Sequence, residues 1–203
     1  MVQTVHNVGG NVTAWWDWRT RPGFAGGCKR SCRPSALQGH RVSQAYFHGY
    51  ALNSVDLKNR LSIPAEFRDA IQLRSGNRDL LVGPAPGIDC LIGYDQSHAN
   101  VLQARLDKSD NDEETAEGAF RSTFLFGSAT PLKIDDAGRV VLTAGLKDLG
   151  DITSHVWFVA GGNWFQLWNP WRYLEQTGID PRMFRILRRE MDAKGLPLIE
   201  PAR

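Results

Sequence analysis

The chain has 203 residues, 42% hydrophobic and 23% charged, with 24 Lys/Arg against 22 Asp/Glu for a formal charge of +2. This is an ordinary globular composition with enough material for one domain or two small ones, and no apolar run approaches the roughly 20 residues that span a bilayer. No basic–apolar–cleavage pattern opens the chain, and three cysteines cannot pair without a leftover, which points to a reducing cytoplasm.

The charge is uneven. Residues 1–45 hold six Lys/Arg and one acid, a net of +5, whereas 46–203 hold eighteen Lys/Arg and twenty-one acids, a net of −3. The first 45 residues also lack strand or helix periodicity. They admit a DNA-grasping basic tail, or a zinc site from Cys28, Cys32, His6 and His40, but the cysteine spacing has no matched second pair. The expectation is a disordered extension, or upstream sequence translated from a misplaced start, with Val42 the natural internal start. Residues 1–41 are then not part of the working protein.

Order begins at Tyr46. Tyr46–Leu52 reads as a strand, and Asp56 then opens a type I turn with Leu57 and Lys58 central. Asn59 stands where a left-handed residue closes a three-residue hairpin with a bulge. Arg60 starts the return strand, Leu61 and Ile63 share one face, and Pro64 ends it. AEFRDAI (65–71) places Phe67, Ala70 and Ile71 on one side of a short helix entered by proline. DLLVG and IDCLIGY read as two more strands around the turn signal PAPG.

Sliding the chain by 79 residues brings Phe47 onto Phe126, Asp56 onto Asp135, Arg60 onto Arg139 and Asp69 onto Asp148. Val55, Leu61, Ile63 and Phe67 fall on Ile134, Val140, Leu142 and Leu146; Arg68 falls on Lys147, and Asn59 on Gly138. HVWFVAGGNWFQLW takes the place of the later strands with a slipped register. This is an internal duplication, and each copy is too small to close a core alone. Between the copies, Val101, Leu102 and Leu106, the acidic DNDEE, and Phe120, Phe124 and Leu125 predict helix, acidic turn and helix. The tryptophans at 157–171 read as core rather than as a stacking platform. PRMFRILRREM predicts a last helix.

The two elements D56-LKN-R60 and D135-DAG-R139, joined by a helical linker, resemble the MraZ family of bacterial transcription regulators. RLSIPAEFR and FGSATPLKIDDAGR carry the likeness, which covers roughly residues 42–175. The resemblance implies a β-rich α+β fold: two tandem AbrB-like (SpoVT/AbrB) swapped-hairpin repeats forming a pseudo-dimeric β-barrel, with a helical linker and a C-terminal helix. The expected divisions are 1–45 extension, 46–96 first repeat, 97–125 linker, 126–172 second repeat, and 173–203 helix and tail. It further implies a ring-like homo-oligomer larger than a dimer, promoter DNA with short direct repeats as partner, and repression of the division and cell-wall gene cluster. The cytoplasm and nucleoid are the implied location. DNA contact is implied for Arg60, with Lys58 and Asn59, and for Arg139; Asp56, Asp135 and Gly138 are motif residues of the loops. The chain departs from the pattern at Asn59, where the family prefers glycine, and at Thr143 and Gly145, which make the second copy the more divergent.

Taken singly, each Asp–Arg pair reads first as a turn-closing ion pair. Two copies in a chain whose other positive charge is diluted favour DNA, since the Arg fork suits guanine edges while Lys58 suits phosphate. An enzyme is not expected: His48, His98 and His155 are scattered, there is no nucleophile, metal or phosphate-loop motif, and no cofactor or membrane partner is implied. The alternatives are an AbrB-fold toxin antidote, which one hairpin copy would suffice to make, and an oligomeric scaffold without specific DNA binding.

Overall fold

The computed structural model describes residues 45–108 and 122–201. The expectations for residues 1–44, the DNDEE turn and Phe120 lie outside the described residues. Gly49, at φ +83°, interrupts the strand expected over 46–52, so β1 runs Tyr50–Ser54 while Phe47 makes a separate bridge to Gly162. Then follow β2 (Arg60–Ser62), α1 (Ala65–Ser75), β3 (Asp79–Pro84), β4 (Leu91–Tyr94) and α2 (Gln96–Lys108). The second half supplies β5 (Thr130–Lys133), β6 (Arg139–Val141), α3 (Ala144–Leu149), β7 (His155–Ala160), β8 (Phe165–Trp168), α4 (Pro170–Glu175) and α5 (Pro181–Ala193). Thr123–Gly127, expected as ordinary helix, forms one π-helical turn.

Local chemistry explains the helix limits. Pro64 precedes α1, which buries Phe67, Ala70 and Ile71 and stops at Gly76, where φ is +69° and the N–H reaches the Gln72 carbonyl. Thr143, read from sequence as a departure, is the N-cap of α3: its hydroxyl accepts from the Leu146 N–H at 3.2 Å. Asn169 caps α4 by accepting from the Trp171 and Arg172 N–H groups, and Asp180 caps α5.

The strands form a six-stranded antiparallel sheet in the order β1-β7-β8-β4-β3-β5 and a separate two-stranded ribbon of β2 and β6. The order encodes an exchange. The first strand of each copy, β1 or β5, is added to the edge of the other copy's later strand pair, β7–β8 or β3–β4. The local reading, in which Arg60 starts a return strand on Tyr46–Leu52, is therefore corrected. Each Asp-to-Arg turn closes as expected, but among the described residues the only bridge across the first is Val55, just past β1, with Leu61, before β2 leaves to pair with β6. Burial explains the choice: paired together, Leu61 and Val140 both vanish into one core, at 0% and 1% exposure. Among the described residues the two sheets share no strand, so the ladder does not run on into one closed barrel.

Alternation along the six-stranded sheet divides the interior in two. On one face Val156, Phe158, Phe165 and Leu167 meet Leu61, Ile63 and Val140 of the ribbon with Phe67 and Ile71 of α1. On the other, Leu52, Trp157 and Trp168 meet Trp171 and Tyr173 of α4 and Leu187 and Met191 of α5. The ribbon lies over the first core and α5 over the second. Trp157 and Trp168 are core residues, as their strand pattern suggested, and Trp171 joins them from α4, whereas Trp164 is only half-buried.

Candidate nucleic-acid interface

Each D-x-x-x-R loop is organised by its aspartate. The Asp56 carboxylate accepts from the backbone N–H of Lys58 at 2.8 Å, from that of Arg60 at 2.9 Å, and from Arg60 Nε at 2.6 Å. The Asn59 N–H closes the turn on the Asp56 carbonyl at 2.9 Å, with Asn59 at φ +57°, the left-handed conformation expected of it. The second loop repeats the plan: Asp135 accepts from the Arg139 N–H at 2.8 Å and from Arg139 Nε at 3.1 Å, and the Gly138 N–H returns to the Asp135 carbonyl at 2.9 Å. In both loops the arginine backbone N–H is the main influence holding the aspartate below the usual carboxylate range, so both stay ionised at neutral pH.

The ribbon brings the two arginines together. Arg60 stands opposite Val141, and Ser62 opposite Arg139, with Leu61 and Val140 between them pointing into the core. Arg60, Ser62, Arg139 and Val141 therefore share the outward face, and the two arginines are diagonal neighbours with Cα atoms about 7–8 Å apart. Their side chains are 35% and 37% exposed. The sequence presents them as separate hairpin ends; pairing between the copies makes them one cluster.

The left-handed residues tie the copies together. The Leu142 N–H donates to the Asn59 carbonyl and the Ile63 N–H to the Gly138 carbonyl, both at 2.9 Å, extending the ribbon at each end. Lys147 Nζ donates to Asn59 Oδ1 at 2.9 Å. At the equivalent place in the other copy Arg68 lies over Gly138, so closely that a methyl there would sit 2.6 Å from the guanidinium carbon. Sequence reasoning matched Arg68 with Lys147 yet left both out of the site; the signal was a basic residue at the same offset after each loop.

The loop tips differ. Leu57 and Lys58 crown the first, both exposed. The second carries Asp136, fully exposed and 3.2 Å from Arg78, and Ala137. Among the described residues no group of His, Cys, Asp and Glu could hold a metal ion, and no helix is long and apolar enough to cross a membrane.

Comparison with protein-family models finds no match. Curated proteins do match. The chain is 35% identical over 145 residues to the transcriptional regulator MraZ of Methylocella silvestris, spanning 70% of this chain and 85% of that protein. It is 34% identical over 161 residues to the transcriptional regulator MraZ of Beijerinckia indica, spanning 77% and 94%. A relative of the same description from Rickettsia bellii is 32% identical over 118 residues. With most of these proteins' length covered at such identity, the chain belongs to the MraZ family.

Proposed function

We propose that this protein is a sequence-specific DNA-binding transcriptional regulator. It acts as a repressor of the division and cell-wall gene cluster and binds short direct repeats in its own promoter through its D-x-x-x-R loops. The observation that carries the reading is the β2–β6 ribbon, on whose outward face Arg60 and Arg139 stand side by side. A two-stranded β-ribbon fits the major groove, and an arginine fork can take both acceptors of a guanine edge. Lys58 at the first tip supplies a contact to phosphate and Asn59 lies beside it against the duplex, its bulk setting how closely the backbone there approaches, while Asp56, Asp135 and Gly138 hold the loops in shape. The DNA-binding function in general is supported by the relatives' description as transcriptional regulators.

The exchange of β1 and β5 supports the finer fold reading, tandem AbrB-like repeats at 46–96 and 126–172 acting as a pseudo-dimer. The body of the chain is acidic overall, so one ribbon is a weak binder; a ring-like homo-oligomer would repeat it along repeated DNA boxes. The nucleoid is the corresponding location. Footprinting the purified protein on the DNA just upstream of its own gene tests the reading. Protection of short repeats at regular spacing is the expected result, and uniform, salt-sensitive binding without a footprint would refute it. Light scattering that shows a monomer at micromolar concentration would remove the oligomer.

A further inference from the structure

We propose that the outward face of α5 is a second, sequence-independent nucleic-acid surface, one that takes the phosphate backbone of a duplex separate from the one under the ribbon. The inference rests on the reading of the protein as a DNA-binding regulator but uses none of the ribbon residues. Residues 181–194 hold five cations against Glu190 and Asp192, a net of +3. Residues 46–203 sum to −3, so the rest of the body carries −6. The positive charge outside the loops is therefore not diluted, as the sequence reading takes it to be, but gathered in part on this helix.

The spacing is costly for an isolated helix. Arg185 has Arg182 three residues before it, Arg188 three after and Arg189 four after, all helix-surface neighbours of like charge. Asp180 offsets Arg182 by pairing with it and acts at longer range on Arg185, and Asp192 is the one acid on the same face. Arg185, Arg188 and Arg189 are exposed and form no ion pair among the described residues. A helix that keeps such a stripe is suited to an anionic partner with regularly spaced charge.

Two further facts choose the partner. A basic amphipathic helix can lie on a membrane only if its apolar face is free. Here Leu187 and Met191 are 0% exposed, buried against the sheet, so only the charged face is presented. In addition, α5 covers the core on the opposite side of the six-stranded sheet from the ribbon, so its stripe cannot extend the footprint of the ribbon's own duplex. DNA is the polyanion that a DNA-bound protein meets at highest local concentration, and the stripe fits its backbone without reading bases.

The test uses the full chain carrying Arg60→Ala and Arg139→Ala, with a random-sequence duplex as probe. This variant should still bind the probe. Adding Arg185→Gln, Arg188→Gln and Arg189→Gln should weaken that binding and lower the log–log salt slope by roughly 2 to 3, while three Arg→Lys changes should not. In the wild-type background the same three Gln changes should leave the promoter footprint in place yet reduce random-duplex binding; this arm decides the matter if the loop variant does not fold. Random-duplex binding insensitive to the three Gln changes would overturn the proposal. So would a change in oligomer size at constant duplex affinity, which would make the face a contact between copies. Absence of any promoter footprint, with α5-dependent duplex binding intact, would count against the promoter reading alone.

Discussion

The two copies of the repeat share a backbone plan and differ in where they spend charge. At the corner between β4 and α2, the first copy buries an ion pair: Arg74 Nε lies 2.5 Å from Asp95, whose carboxylate is 0% exposed, and Arg74 also reaches Asn163 and the Ala45 carbonyl. Burial pushes the Asp95 carboxyl up, but the Arg74, His98 N–H and Ser97 hydrogen bonds outweigh it and hold it below its ordinary value. The second copy places neutral Asn169 at the matching corner, bonded to the Asp151 carbonyl and the Glu200 carboxylate. The loops differ in the same sense. The first tip is Leu57–Lys58, and the second is Asp136–Ala137. One scaffold thus supports two surfaces, and on the proposed reading the first copy makes the stronger DNA contact.

The corners give the largest expected effect. Arg74→Ala leaves a buried carboxylate unpaired and should cost about 3–5 kcal/mol of unfolding free energy. Asn169→Ala removes a neutral cap and should cost about 1–2 kcal/mol. Urea unfolding of both variants checks the pair; equal losses would mean that the buried charges add nothing beyond a cap.

At the loops, Arg60→Ala should abolish the promoter footprint with fold and oligomer intact. Each lost guanine contact is worth about 1–3 kcal/mol, and an oligomer multiplies the loss. Wild-type affinity in a gel shift at fixed salt would refute this. Arg139→Ala should weaken binding less, because its neighbours at the tip are Asp136 and Ala137 rather than Leu57 and Lys58. An equal or larger loss would reverse the assignment of the two copies.

Much of this architecture is visible in the chain itself. The 79-residue offset pairs the loops, the helices α1 and α3, and the apolar positions, because turn chemistry and alternation are local. The left-handed residue after each tip is also legible, since few side chains tolerate that conformation. The partner of each strand is not. A three-residue strand such as Arg60–Ser62 carries no record of whether it pairs with β1 or with β6, since either choice satisfies its alternation; the decision comes from burying Leu61 against Val140. For the same reason the proximity of Arg60 to Arg139 emerges only from the fold. Arg74–Asp95 was missed because both residues look like ordinary surface charges in their own segments.

The smallest expected effect concerns Asn59, and it sharpens the comparison most. The second loop has Gly138 at this position, with Arg68 lying over it; the first has Asn59, whose side chain holds Lys147 at 2.9 Å. Asn59→Gly makes the first loop like the second. On the folded side it relieves a non-glycine residue at φ +57° and loses one partly exposed hydrogen bond. On the unfolded side it adds chain entropy worth about 0.5–1 kcal/mol. These terms oppose one another, so unfolding free energy should move by less than about 1 kcal/mol. DNA binding should change more clearly. Without the Asn59 oxygen, Lys147 can turn to a phosphate, and the smaller residue lets the backbone approach the duplex. Affinity should rise about two- to fivefold, with the salt slope steeper by roughly 0.9 for one added phosphate contact. Titration of wild type and variant against the promoter fragment over a range of salt measures both quantities. Weaker binding at unchanged stability would show the opposite, that the Asn59–Lys147 link shapes the first loop for DNA.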